Sequence, residues 1–322
     1  MEEVVMIRDN LKIDPQLHIW GWEIPVYLFL GGVAAGVMVL SALLALRRLR
    51  RGAAGAEEPS RWSRWVPFAA PLVISFGMLA LMLDLEYKTH VFRFYTVLRP
   101  ASPMSWGAWI LVGIYPATLL LGLANLRPAE LSALTDFKPI AALRLGRLLG
   151  WLHGFGQRHH RGLLWANLWL GIGLGIYTGI LLAALGGARP AWNSALLGPL
   201  FLVSGVSTGA ALMMLLPIAR TEHGLLRRWD IWAVVVELVL LALFFIGLSA
   251  AGAQGREAVG LFFGGRYTAV FWALVVAAGL VVPLIIELIE NKRGLRPTAL
   301  APVLLLAGGL SLRWILVLAG QA

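Results

Sequence analysis

Cysteine is absent from the 322 residues, so the protein can carry neither an iron–sulfur cluster nor a c-type haem attachment. Histidine is scarce and badly placed for haem. His18, His90, His153, His159, His160 and His223 all fall in loops or at helix edges, whereas a membrane cytochrome b needs histidines facing each other within its spans. A haem-free chain is expected. His159 and His160, beside Arg158 and Arg161, read as a solvated face rather than a metal site. Charge is sparse too: 14% of residues are charged against 59% hydrophobic, with a mean hydropathy of +0.78, which excludes a water-soluble globule of ordinary composition. Strict alternation over about ten residues, the mark of a membrane β-barrel strand, is also missing.

What is present is a set of long apolar runs. A hydrocarbon core needs about 20 helical residues to cross it. Eight runs qualify, at 24–46, 66–88, 106–126, 163–187, 194–219, 231–251, 267–290 and 298–319. The expected fold is therefore all-α, an integral membrane protein with eight transmembrane helices. The acidic first residues (Glu2, Glu3, Asp9, Asp14) lack the basic start of a removable signal peptide. Lys and Arg number eighteen in the loops 47–65, 127–162, 220–230 and 291–297 and eight on the other face. The first set is expected to be cytoplasmic, with both termini on the outer, periplasmic side. The net charge of +10 then reflects topology and attraction to anionic membrane lipids rather than binding to nucleic acid.

Within the loop 127–162, "FKPIAALRLGRLLGWLHGFG" spaces Ile140, Leu143, Leu148, Leu149 and Trp151 against Lys138, Arg144 and Arg147 as an interfacial amphipathic helix would. "GGVAAGV" at 31–37 and "SGVSTGA" at 204–210 share glycine, valine and glycine in one register. A parallel duplication of four helices would explain the echo, and the small-xxx-small spacing suits close helix packing.

Ionisable residues inside spans are costly, which makes each a candidate site. Glu23 opens the first span in "HIWGWEIPVY", either as a carboxylate at a helix N-terminus within an aromatic belt or as a proton-exchanging group beside a bound ring. Asp84, four residues before Lys88, is either half of a helix-end ion pair or part of the wall of a polar pocket. Arg313, about six residues from the end of the last span, either snorkels or pairs with Asp84 or Glu23. Glu237 and Glu287, at successive depths on the cytoplasmic side, could relay protons, with Arg313 beyond them, while Glu290 reads as an interfacial charge. Arg189, Trp192 and Asn193 form a short outer loop able to hydrogen-bond a carbonyl and cover a ring, or a plain interfacial turn.

Several of these stretches together are similar to a known family. "LDLEYKTHVFRFY" followed by "SPMSWGAWIL" resembles the end of the second helix, the outer loop and the third helix of the NrfD/PsrC family, the membrane subunits of polysulfide-reductase-like complexes. "WGWEIPVYLFLGGVAAG", "YTGILLAAL", "RPAWNSALLGPLFLVSGVSTGAA" and "GGLSLRWILVLAGQ" agree with it in order and spacing.

The resemblance implies a haem-free protein of two four-helix bundles, here 24–187 and 188–322 after an outer segment 1–23. It implies electron and proton exchange between membrane quinone or quinol, menaquinone or ubiquinone, and a ferredoxin-like four-cluster iron–sulfur subunit on the outer face. A molybdopterin or cytochrome catalytic subunit would lie beyond that subunit, at a bacterial or archaeal cytoplasmic membrane. The family's quinone pocket carries over onto Tyr27, His90, Arg93, Ser105, Trp106, Tyr177, Arg189, Trp192 and Asn193. Where some relatives have histidine at the start of the first helix this sequence has "WGWE", so Glu23 with Asp84 is expected to exchange the protons. A secondary transporter and a purely structural anchor are the alternative classes.

Overall fold

The computed structural model describes residues 20–51, 58–85, 88–138, 141, 144–186, 189–295 and 297–322. Most of the expected outer segment 1–23 therefore lies outside the described residues. Eight helices are long and apolar enough to cross a membrane: α1 (Glu23–Arg51), α2 (Arg61–Asp84), α3 (Pro103–Asn125), α4 (His160–Ala183), α5 (Leu197–Met214), α6 (Arg220–Ala250), α7 (Thr268–Arg293) and α8 (Leu300–Ala319). No strand occurs among the described residues. Large apolar side chains such as Leu72, Phe76, Trp169, Trp232 and Ile246 point outward, as a helix set solvated by lipid rather than water requires.

α1 and α5 are the most deeply buried spans. α1 packs against α2, α4, α5 and α8, and α5 against α4, α6 and α8. The two glycine motifs noted in the sequence meet each other at this seam. A Cβ placed on Gly36 would overlap the Gly205 carbonyl oxygen, and one on Gly209 would sit 2.5 Å from the carbonyl carbon of Gly36. No side chain fits there, so backbone packs on backbone.

Two spans depart most from expectation. α6 begins at Arg220 rather than near 231, so the charged stretch 220–230 is helix, not loop. Its first turn holds because the Glu222 carboxylate accepts from the Ala219 amide at 3.3 Å and pairs with Arg48 of α1. In α7, residues Phe271–Val281 form a π-helix running up to Pro283. Proline has no N–H and its ring crowds the carbonyl four residues back, and a wider turn relieves both conflicts.

The amphipathic stretch is interrupted at Arg144. Arg144 has φ 51°, and the helix runs over Gly146–Arg158, with residues 139–140 and 142–143 outside the described residues. His153 bonds the Leu123 carbonyl at 2.8 Å and so ties this helix to α3, while Leu148 and Trp151 stay exposed.

The two ends of the helix set differ in chemistry. At the Trp20 end, Trp20 and Gln321 exchange hydrogen bonds of 2.9 and 3.1 Å, joining the start of α1 to the end of α8. At the opposite, Arg48 end, Arg64 grips Glu130 through two bonds of 2.9 and 2.7 Å, and the Arg48–Glu222 pair also takes the Ser60 hydroxyl at 3.1 Å.

Candidate functional site

The sequence-suggested residues do not converge on one place. Two of them, Tyr27 and Tyr177, enter a cavity of about 370 Å³ near the Trp20 end between α1, α2, α3 and α4. Its walls are apolar, with Met78, Leu111 and Leu181 among them, and its polar atoms are mainly hydroxyls: Tyr27, Tyr177, Tyr95 and Ser75. Tyr27 and Tyr177 interact through their hydroxyl groups. Ser75 donates to the Pro71 carbonyl at 2.6 Å and lies 2.9 Å from the Tyr115 hydroxyl. Tyr95 comes from the short helix Arg93–Thr96 that covers the cavity, and burial, with Tyr115 adding, pushes its phenol up from the usual value.

Gly107 shapes this space. A Cβ there would overlap Cζ of Tyr177, so the absence of a side chain in "SPMSWGAW" is what lets the phenol ring lie on α3. Such a chamber, apolar with a few convergent hydroxyls, suits a flat hydrophobic ring bearing one or two oxygens.

Glu23 and Asp84 stand at the mouth rather than in the wall. Glu23 is one turn before Tyr27, its carboxylate folded over Gly21 where a Cβ would otherwise sit, and Asp84 is exposed beside the lining residue Leu85. The two are close enough to interact electrostatically.

The remaining expected residues lie elsewhere. The Ser105 hydroxyl accepts from the Arg99 amide at 3.0 Å and donates to the Val97 carbonyl at 3.3 Å, and the Trp106 indole donates to the Pro100 carbonyl at 2.6 Å. Both fasten the loop 97–105 rather than facing the cavity. His90 and Arg93 are exposed, His90 lying 3.2 Å from the Thr89 hydroxyl.

Trp192 is fully buried. Its indole donates to the Leu316 carbonyl at 2.7 Å and stacks on Trp20 at 5.2 Å, closing α1 against α8. Asn193 is exposed and Arg189 half-buried beside it, and neither lines the cavity.

Arg313 turns away from Asp84 and Glu23. It is completely buried and donates to the Ser204 hydroxyl (2.8 Å), the Gly309 carbonyl (2.9 Å) and the Phe201 carbonyl (3.3 Å), with its guanidinium 5.0 Å from the Phe201 ring centre. Its anionic neighbour is Glu237, which also reaches Ser204. Arg313 thus pairs with neither outer-half carboxylate: its hydrogen bonds stay on α5 and α8, with Glu237 of α6 near enough to act on it electrostatically. Snorkelling is excluded by the same burial.

Glu287 is buried as expected, but it faces a residue not singled out from the sequence, Asp230 of α6. Glu290 is buried as well, 3.5 Å from Arg227 and accepting from the Thr298 amide (3.0 Å) and hydroxyl (2.8 Å), rather than lying free at an interface. Among the described residues no group of three or more His, Cys, Asp or Glu is arranged to hold a metal ion.

Known proteins are similar to this one in sequence along nearly its whole length. Residues 11–322 match the family described as "Polysulphide reductase, NrfD". The sequence is 34% identical over 314 residues to protein NrfD of Escherichia coli (strain K12), covering 94% of this protein and 95% of that one. It is 28% identical over 315 residues to the C subunit of the polysulfide reductase of Wolinella succinogenes, with 94% of each covered. A third relative, the NrfD homolog of Haemophilus influenzae, is 28% identical over 314 residues, with 94% of each covered. Similar also to a subunit of polysulfide reductase, and with eight candidate spans and nearly its full length matched, the protein belongs to the NrfD family of multi-pass membrane proteins.

Proposed function

We propose that this protein exchanges electrons and protons between membrane quinone or quinol and a peripheral iron–sulfur subunit, and that the cavity beside Tyr27 and Tyr177 receives the quinone ring. The observation that carries this reading is the pairing of an apolar chamber with phenol and serine hydroxyls at one end of the helix set. A quinone ring needs flat apolar walls and one donor for each carbonyl oxygen, and Tyr27, Tyr177, Tyr95 and Ser75 are the available donors.

Bound quinol gives up two electrons and two protons. Tyr27 and Tyr177 orient its oxygens, and Glu23 and Asp84 at the mouth take the protons toward water. The apolar lining keeps bulk water from the ring.

Eighteen Lys and Arg in the segments toward the Arg48 end, against eight in those toward the Trp20 end, support the first as cytoplasmic and the second as outer, in a bacterial or archaeal cytoplasmic membrane. Electrons then leave through the outer loop between α2 and α3, against which a ferredoxin-like four-cluster partner docks. A molybdopterin or cytochrome catalytic subunit lies beyond that partner. The name of the Wolinella succinogenes relative, one subunit of a polysulfide reductase, supports membership of a multi-subunit oxidoreductase. The division into 24–187 and 188–322 as two bundles belongs to the same reading.

The test is quinol oxidation by the purified complex carrying Tyr27→Phe, Tyr177→Phe, Glu23→Gln or Asp84→Asn. Loss of affinity is expected in the phenylalanine variants and loss of turnover in the carboxylate variants. Unchanged kinetics in all four would remove the assignment.

A further inference from the structure

α6 carries a polar stripe along one face. His223, Arg227, Asp230 and Glu237 follow one another at spacings of four, three and seven residues, which return to the same side of an α-helix. Asp230 is completely buried and Glu287 of α7 nearly so, and neither carboxylate has a hydrogen-bond partner of proper geometry for either oxygen. The Ser207 hydroxyl of α5, 1% exposed, is turned to Asp230 and also lacks a bond of proper geometry.

Two facing carboxylates inside a membrane cannot both stay charged without cations or donors around them. The surroundings supply few. Arg227 is the nearest cation, but its Nη1 goes to Glu290 at 3.5 Å and its Nε has no partner. His223 and Glu290 lie beyond it toward the Arg48 end, while Glu237, Ser204 and Arg313 lie on the other side. The opposed carboxyls, the idle serine and the off-centre arginine match a pair holding one proton between its oxygens, the remaining negative charge facing Arg227.

We infer that Asp230 and Glu287 form a proton-holding pair inside the membrane, which exchanges its proton with the Arg48 end past Arg227, His223 and Glu290. Binding forms one O–H bond and release breaks it, so the pair alternates between one and two negative charges and no redox partner is needed. This inference does not depend on the quinone reading, since α2 and α3 contribute nothing to the pair.

Infrared spectroscopy of the full-length protein in lipid nanodiscs tests it, on a Glu237→Gln background that removes the one further buried carboxyl, among the described residues, outside an ion pair. At neutral pH a protonated-carboxyl C=O band is expected. It should move to lower frequency in heavy water, persist when potassium is replaced by sodium, and vanish on adding Asp230→Asn with Glu287→Gln. A missing band, or one that survives the double change, would overturn the pair. Bleaching by sodium would make it a cation site, and a band unmoved by heavy water would show that no exchange occurs. If the multiple variant does not fold, the band of the Glu237→Gln protein, read across pH in both salts, decides by the same criteria.

Discussion

The cavity between α1 and α4 and the buried column between α5 and α8 solve opposite problems with polar groups in a membrane. Around the cavity the polar atoms are neutral hydroxyls with open space before them, and the carboxylates are kept out at the mouth. In the column Asp230, Glu237, Glu287 and Arg313 are all buried. A neutral hydroxyl costs little to bury when a visiting molecule can bond to it, whereas a buried charge must find its partner within the protein or take up a proton. The difference separates a place built for an exchanging molecule from one built to hold charge. Along α1 the two are close: Tyr27 and Gly32, whose added Cβ would lie 2.8 Å from Arg313 Nη2, are five residues or about 7.5 Å apart.

The hardest test of that contrast is Arg313→Leu. It deletes the three hydrogen bonds of the guanidinium and leaves Glu237 buried without its cation. Each buried acceptor left unsatisfied costs about 1–3 kcal/mol, and the nearby carboxyl loses its cation. The loss is expected in the denaturation midpoint of the detergent-solubilised protein. Adding Glu237→Leu should return part of it, because the orphaned carboxyl goes too. A neutral single variant would mean that column and cavity do not differ in this respect.

Gly107→Ala tests the other side. Its Cβ would collide with the Tyr177 ring, so the phenol must move out of place in the cavity. Affinity for a quinone analogue should fall by about tenfold, equivalent to ~1.4 kcal/mol. Stability should change less than with Arg313→Leu, since the displaced ring can swing into open space. Unchanged binding would separate the cavity from quinone chemistry.

How much of this was legible in the sequence depended on what carried each feature. The eight spans and the glycine seams were, because hydrocarbon thickness and backbone approach act directly on residue type. Tyr27 and Tyr177 came through family resemblance. Asp230 was hidden because Arg227, Arg228 and Asp230 together look like a loop. Only the fold shows α6 extended by a pair between Glu222 and Arg48, residues far apart in sequence. Gly107 was hidden because, unlike the seam glycines, it meets a side chain from a distant part of the sequence, the Tyr177 ring. Trp106, Ser105 and Trp192 have the residue types of a ring-binding site, yet their hydrogen bonds go to the carbonyls of Pro100, Val97 and Leu316. Residue type does not tell which way a polar atom turns.

Ser105→Ala sharpens that distinction. Because its hydroxyl bonds only the backbone of the loop 97–105, its loss should lower stability by ~1 kcal/mol. Quinone-analogue affinity should stay unchanged. A large fall in affinity with no change in stability would return Ser105 to the cavity.

The smallest effect concerns a charged pair outside both regions. Glu130, in the short helix Pro128–Thr135, is held down from 4.5 to about 2, first by the Arg64 hydrogen bonds. A carboxyl whose folded value is depressed contributes stability that is fully present above its unfolded value. That contribution fades as pH falls from about 4.5 toward 2. Glu130→Gln should therefore flatten the acid limb of a stability-against-pH curve in this window and leave its neutral region parallel to wild type. Arg64 and Glu130 are largely covered too, but each has its opposite charge as partner, unlike the carboxyls facing each other between α6 and α7. If Glu130→Gln instead abolished folding at neutral pH, the pair would be as indispensable as the buried column, and the contrast between the column and the charges outside it would fail.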